Sequence, residues 1–173
     1  MISTDIGNIC SVSNSYLRFD RPRSMFAAMS FGNCGYAFPT IVGAKVAAPH
    51  RPAISYAGDG AWAMSMGEIL TCVRHDIPVT AVVFHNRQWG AEKKNQVDFY
   101  DTRFLGVNLK NPSWAEVARS LGAEGVAIDK LGSPFHYQLG QIARIKKFEF
   151  NSMTLKPMQT YDEMSRAVGT GKV

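Results

Sequence analysis

The residues with the most chemical capacity are Gly58-Asp59-Gly60 and, 27 positions after the aspartate, His85-Asn86. Each group follows a short apolar run, residues 53–57 before the first and residues 79–84 before the second. An uncharged, β-branched run such as 79–84 suits a parallel sheet covered on both faces. If the two runs lie side by side, Asp59 and Asn86 project from one C-terminal edge, where open α/β sheets bind ligands. A carboxylate, an amide oxygen and a loop carbonyl are hard oxygen donors, suited to Mg2+ holding a diphosphate. The natural third ligand is the main-chain carbonyl of Gln88, so the expected metal set is Asp59, Asn86 and Gln88. The helix start after Asp59 adds free N–H groups and the positive end of a dipole, both favourable to phosphate. Alone, Gly-Asp-Gly reads as a turn; the asparagine at the end of a second strand is what makes it a candidate site.

The elements around these tips can be read from spacing. Residues 2–5 form a short strand candidate, and residues 8–24 read as polar and irregular, with Arg18, Arg21 and Arg23 close together. Residues 40–48 read as a helix whose Gly43, Ala44, Ala47 and Ala48 would allow close approach to a neighbouring backbone, ended by Pro49 and Pro52. Met66, Ile69, Leu70 and Val73 fall at i, i+3, i+4 and i+7, one face of a helix that residues 76–78 stop. Residues 86–111 are polar and charged, and a loop that long inside a compact domain is usually functional. Ser113 and Glu116 form a capping box, Trp114, Val117, Ala118 and Leu121 an apolar face, and Gly122 a C-cap. A further strand candidate covers residues 125–128. The alternation of strand and helix predicts an α/β fold, an open and mostly parallel sheet flanked by helices. After Lys130 the pattern changes: Tyr161, Met164 and Val168 hint at one weak helix and no strong strand appears. The expected organisation is a partial binding domain over residues 1–130 and a divergent tail over residues 131–173.

Composition narrows the class. The chain has 173 residues, 46% hydrophobic and 19% charged, the balance of a globular protein with a real core. No apolar run approaches the roughly 18 residues of a membrane helix, and the N-terminal residues lack the basic and apolar regions of a secretory signal. Cys10, Cys34 and Cys72 make no CxxC pair, which suits a reducing cytoplasm. The net charge of +5 is modest and spread, +2 over residues 1–130 and +3 over the remainder. Neither nucleic acid nor membrane is therefore expected as a partner, whereas anionic small molecules are.

The pair Gly58-Asp59-Gly60 and His85-Asn86 resembles the signature of thiamin-diphosphate enzymes, GDG followed by an Asn that is often doubled. Residues 30–45, with Gly32, Cys34, Gly35, Pro39 and Gly43, look like the family segment GxGxMGxxLPxAIGA, with Cys34 where many members have Met. Thr4-Asp5-Ile6-Gly7-Asn8, Val73-Arg74-His75-Asp76 and His85-Asn86-Arg87-Gln88-Trp89-Gly90-Ala91-Glu92-Lys93-Lys94-Asn95-Gln96 are similar to the sulfoacetaldehyde acetyltransferase group, in the acetolactate-synthase-like branch. The resemblance covers about residues 1–130 and implies the diphosphate-binding (PP) domain, with thiamin diphosphate and Mg2+ as cofactors. It implies cofactor contacts at Gly32, Cys34, Gly58, Asp59, Gly60, Ala61, Asn86, Gln88, Trp89 and Gly90. The implied reaction converts sulfoacetaldehyde and phosphate to acetyl phosphate and sulfite, with the cofactor supplying the carbanion and the protein its geometry.

Both substrates are anions, which makes Arg87, Lys93, Lys94, Arg103, Arg18 and Arg21 candidate contacts, each weighed against a plain surface charge. His85 reads as a packing residue pointing away from Asn86, His75 as a helix C-terminal residue, Trp89 as a pocket wall or a loop anchor, and Cys10 and Cys72 as small buried residues. The resemblance places the carboxylate that activates the cofactor in a separate pyrimidine-binding domain and the site at an interface of homo-oligomers. This chain carries no match to that domain, so no catalytic side chain is assigned to it, activity of the chain alone is not expected, and apolar surface should lie exposed. Another enzyme of the branch, such as acetolactate synthase, and a non-catalytic diphosphate-binding module are the alternative readings.

Overall fold

In the computed structural model, residues 1–124 are described. They form a four-stranded, wholly parallel sheet in the order β2-β1-β3-β4, from β1 (Ile2–Thr4), β2 (Met25–Ala27), β3 (Ile54–Gly58) and β4 (Thr80–Phe84). Tyr56 of β3 stands beside Thr4 of β1 and beside Val82 of β4. Helix α1 (Asn8–Tyr16) joins β1 to β2, and α2 (Ala37–Ala47) joins β2 to β3. Between β3 and β4 come α3 (Asp59–Ser65), a 3-10 turn (Met66–Glu68) and α4 (Ile69–Arg74); α5 (Gly90–Phe99) and α6 (Trp114–Ser120) follow β4. The path moves outward from β1 to β2, then crosses back over β1 to β3. Right-handed crossovers in opposite directions put α1 and α2 on opposite faces. The crevice between the C-terminal ends of β1 and β3 is therefore the switch point of the sheet.

The core lies under α2 and α3. Phe38, Ile41, Val42, Ala57, Trp62, Ile69 and Trp114 pack together, with the Phe38 and Trp62 rings edge to face at 4.8 Å. On α2 the buried residues are Ala37, Phe38, Ile41, Val42 and Lys45, one helical face. Pro39 is tolerated in its first turn, where N–H groups have no helical partner. The Lys45 ammonium is buried but donates to the carbonyls of Pro49 and Arg51 at 2.6 and 2.9 Å, which closes the helix end. At α6, Ser113 Oγ accepts the Glu116 N–H at 3.4 Å. Gly122 (φ 90°) ends α6: its N–H donates to Arg119 O and the Ala123 N–H to Ala118 O, the paired bonds of a Schellman motif.

Five expectations need correction. Residues 8–24 are not irregular throughout: α1 occupies Asn8–Tyr16, burying only Cys10 and Ser13, too small a stripe to show as apolar periodicity. Residues 86–111 are not one loop, because α5 occupies Gly90–Phe99. That helix buries no residue fully and is tied by polar contacts, among them Lys94 with Asp98 and Gln96 with the Leu105 main chain. Gly43 and Ala47 of α2 face outward, and no heavy atom lies within 4 Å of a Cβ built at Gly43, since the large residues of α2 take the sheet side. Leu70 and Val73 are exposed while Ile69 is buried, because a 3-10 turn interrupts the run that a single helix would have continued. Finally, β4 buries only Val82, being the outer strand of the described sheet. The strand candidate 125–128, the tail reading and the boundary at 130 lie outside the described residues. Exposed apolar side chains are present as expected, including Phe31, Phe99, Tyr16 and Leu105. Among the described residues no helix is long and apolar enough to cross a membrane.

Ile41 is fully buried at the centre of this packing. Ile41→Ala should lower unfolding free energy by about 2–5 kcal/mol, as core truncations to alanine do, measured by urea unfolding followed by tryptophan fluorescence.

Candidate functional site at the switch point

Asp59 begins α3 directly at the end of β3 and is 1% exposed. A carboxylate so buried must be satisfied by donors. Its Oδ2 accepts the Arg87 N–H at 2.6 Å and the Asn111 side-chain N–H at 2.9 Å, and lies 3.8 Å from His85 Nε2. Among the described residues its Oδ1 accepts the Gly60 N–H alone, at 3.1 Å. The two oxygens thus divide the work: Oδ2 is occupied by the scaffold and Oδ1 keeps a lone pair. The bond to Arg87 carries the tip of β4 against the start of α3, as the two strands required.

The residues after β4 are shaped around that bond. Arg87 adopts a left-handed conformation (φ 58°), which costs a non-glycine residue about 1–2 kcal/mol. Asn86 is exposed, and its Oδ1 accepts the Gln88 N–H at 3.2 Å, an Asx turn. Gln88 pairs antiparallel with Asn108, flanked by bonds from Trp89 N–H to Val107 O and from Leu109 N–H to Arg87 O. In that pattern the Gln88 carbonyl points away from the bridge. Lys93 holds the pair from the side, donating to Gln88 Oε1 and Asn108 Oδ1. Trp89 lies over Gly60, where an added Cβ would sit 2.6 Å from the indole ring. Gly90 opens α5, and a Cβ there would sit 3.2 Å from the Asn8 amide nitrogen and 3.6 Å from that of Asn86.

Three helix starts therefore gather here: α1 at Asn8, α3 at Asp59 and α5 at Gly90. None has a side-chain cap at its N-terminus. Uncapped N–H groups and converging positive dipole ends are an anion-binding arrangement. The Asp59 carboxylate, the Asn86 side-chain oxygen and the Gln88 carbonyl, at the ends of neighbouring elements, are hard oxygen donors of the types a divalent cation takes. Among the described residues no cluster of three His, Cys, Asp or Glu side chains could hold a metal, so a cation here would need amide and carbonyl oxygen beside the Asp59 carboxylate.

The segment before α2 meets Asp5 and α3 at Gly35. Gly32 is exposed and donates its N–H to Ala28 O. Gly35 (φ 80°) donates its N–H to Asp5 Oδ1, and a Cβ there would sit 3.1 Å from Met64 Cβ of α3. Cys34 is half-buried; burial raises its thiol pKa most, followed by the negative charges of Asp5 and Glu92. Gly58 and Ala61 flank Asp59 in the strand end and the first turn of α3. Of the anion-contact candidates, Lys94 is committed to Asp98, Lys93 to the Gln88–Asn108 bridge and Arg103 to the Tyr100 carbonyl, while Arg87, Arg18 and Arg21 have exposed side chains. His85 packs at 6.4 Å from the Trp114 ring, His75 caps α4, Cys10 is buried and Cys72 is half-buried against the core. Sequence reasoning missed three polar residues: Asp5, Asn8 and Asn111. Asp5 carried a usable signal, a carboxylate one residue past a strand and two before a glycine; Asn111 carried none.

The fold and site define a coenzyme-diphosphate domain of the thiamin type. The family profile "Thiamine pyrophosphate enzyme, C-terminal TPP binding domain" matches residues 5–147, and the chain belongs to that family. Over 131 residues it is 77% identical to a sulfoacetaldehyde acetyltransferase of Castellaniella defragrans and 72% identical to one of Alcaligenes xylosoxydans xylosoxydans, in each case 76% of this chain and 22% of the relative. A probable acetolactate synthase large subunit of Methanocaldococcus jannaschii is 35% identical over 135 residues, 78% of this chain and 22% of that protein. The chain thus spans 22% of the length of these curated relatives.

Two outcomes follow from the geometry. Gly60→Ala forces Trp89 off α3 and should weaken coenzyme binding at least tenfold, read by calorimetry, with a stability loss of about 1–3 kcal/mol typical of overpacking. Because burial pushes the Cys34 thiol pKa up, its alkylation by iodoacetamide at pH 8, followed by peptide mapping, should run slower than that of a free cysteine and accelerate as pH rises.

Proposed function

We propose that this chain is the Mg-thiamin-diphosphate-binding part of a sulfoacetaldehyde acetyltransferase, an enzyme converting sulfoacetaldehyde and phosphate to acetyl phosphate and sulfite. The observation that carries the reading is the Asp59–Arg87 bond, which sets the Asn86–Gln88 turn beside a buried carboxylate at three uncapped helix starts. The identity of 77% to a sulfoacetaldehyde acetyltransferase, against 35% to an acetolactate synthase subunit, favours this branch member over the other.

Asp59, Asn86 and Gln88 would hold Mg2+, and Gly58, Gly60, Ala61 and Gly90 would admit the diphosphate close to backbone N–H groups. Trp89, Gly32 and Cys34 would line the rest of the coenzyme. When bound, thiamin diphosphate supplies the carbanion equivalent that neither backbone nor side chains offer. The chain's own residues bind and orient: Asp59 keeps Oδ1 toward the edge because Oδ2 is fastened by Arg87 and Asn111. Anionic substrate and phosphate are the small-molecule partners, and nucleic acid and membrane are not. A homo-oligomer with the site at its interface is in keeping with Phe31, Leu105, Phe99 and Tyr16 standing exposed. The free cysteines are in keeping with a reducing, cytoplasmic location. Because the matched stretch is 22% of the relatives' length, turnover by these 173 residues alone is not expected.

Calorimetry with thiamin diphosphate should give binding that requires Mg2+ and falls at least a hundredfold in Asp59→Ala. Binding that survives Asp59→Ala would overturn the metal-bridged site. A sulfite assay on the chain alone should stay at background, and sulfite release would overturn the claim of inactivity.

A further inference from the structure

Asp5 is a fully buried carboxylate for which the reading above has no use. It stands one residue past β1, across the switch point from Asp59. Oδ1 accepts N–H groups from Ile6 at 3.1 Å and Gly35 at 3.0 Å, and Oδ2 accepts the Ala37 N–H at 3.0 Å. Ile6 belongs to the turn leaving β1, whereas Gly35 and Ala37 lie 30 and 32 residues further along the chain. Helix α2 begins at Ala37 and has no side-chain cap of its own; Asp5 provides the missing acceptor from another strand.

The same carboxylate reaches α3 at one remove. Gly35 is set so close to α3 that a Cβ would meet Met64 Cβ at 3.1 Å and Ala61 O at 4.0 Å. Charge-assisted bonds to N–H groups are strong in a water-poor interior, so this clamp fixes rather than merely tolerates the position of the 34–36 segment. We propose that Asp5 is a positioning residue: its carboxylate sets the spacing between the Cys34–Gly35 segment and α3, and so the fit of the thiamin rings, while Asp59 governs the diphosphate. This rests on the proposed function, in which that segment lines the coenzyme.

The test compares thiamin diphosphate with inorganic pyrophosphate, each with Mg2+, on the full chain and on Asp5→Asn. Asparagine keeps the size but turns one acceptor into a donor facing an N–H group. The unsubstituted chain should bind both ligands; Asp5→Asn should bind thiamin diphosphate at least tenfold more weakly and pyrophosphate within twofold of the original. Equal losses for both ligands, or no loss for either, overturn the positioning role. If the unsubstituted chain binds neither ligand, the proposed function itself fails and takes this inference with it. Should Asp5→Asn not fold, amide exchange on the unsubstituted chain decides. Gly35 and Ala37 should exchange as slowly as strand amides, and thiamin diphosphate should slow Gly35 further where pyrophosphate does not. Exchange at open-loop rates, or an identical response to both ligands, overturns the inference.

Discussion

The hydrogen bond from the Arg87 N–H to the buried Asp59 Oδ2, 2.6 Å long, is the constraint on which the site depends. A carboxylate buried to this extent cannot be left without donors. Meeting that demand fixes the main chain after β4: Arg87 turns left-handed, Asn86 folds back onto Gln88 N–H, and Trp89 is laid over Gly60. Each of these is costly or crowded on its own. Together they hold Asp59 Oδ1, the Asn86 amide and the start of α5 at one edge of the sheet.

Two buried aspartates stand at the C-terminal ends of the neighbouring strands β1 and β3, and they serve different ends. Asp59 fastens one oxygen to the scaffold and keeps the other oxygen less encumbered. Asp5 spends both oxygens on main-chain N–H groups that belong to different segments. Burial pushes the Asp5 carboxyl pKa up, and bonds from Ala37, Ile6, Gly35 and Tyr36 N–H groups pull it back. By linkage, a carboxyl raised in the folded state binds its proton more tightly there than in the unfolded chain. It therefore withdraws stability as pH rises from the ordinary carboxyl range to its folded value. The fold carries that burden in order to join β1 to the entry of α2.

Strong local signals were legible and weak ones were not. The strands β3 and β4 showed as uncharged apolar runs, and α6 as a capping serine, an apolar face and a terminal glycine, because each reports its own burial or its own cap. Helix α1 hides because its buried face is a cysteine and a serine, and α5 because it buries no residue fully and is held by side-chain pairs such as Lys94 with Asp98. The small residues of α2 suggested close packing at Gly43 and Ala47, yet Phe38, Ile41 and Val42 on the other face carry more apolar area and took the sheet.

The Gly-Asp-Gly and Asn elements and the parallel α/β class were written in residue types and spacing, and the thiamin-diphosphate family was marked by the resemblance of those segments to its motifs. These are local facts: a strand end, a helix start and an oxygen-bearing side chain at each. Which donors satisfy those oxygens was decided only in three dimensions. Asn111 reaches Asp59 across 52 positions of chain, and Asp5 caps a helix that begins 32 positions later. No spacing rule encodes such pairs, because the need of a buried carboxylate for N–H groups is met by whatever folding brings within reach.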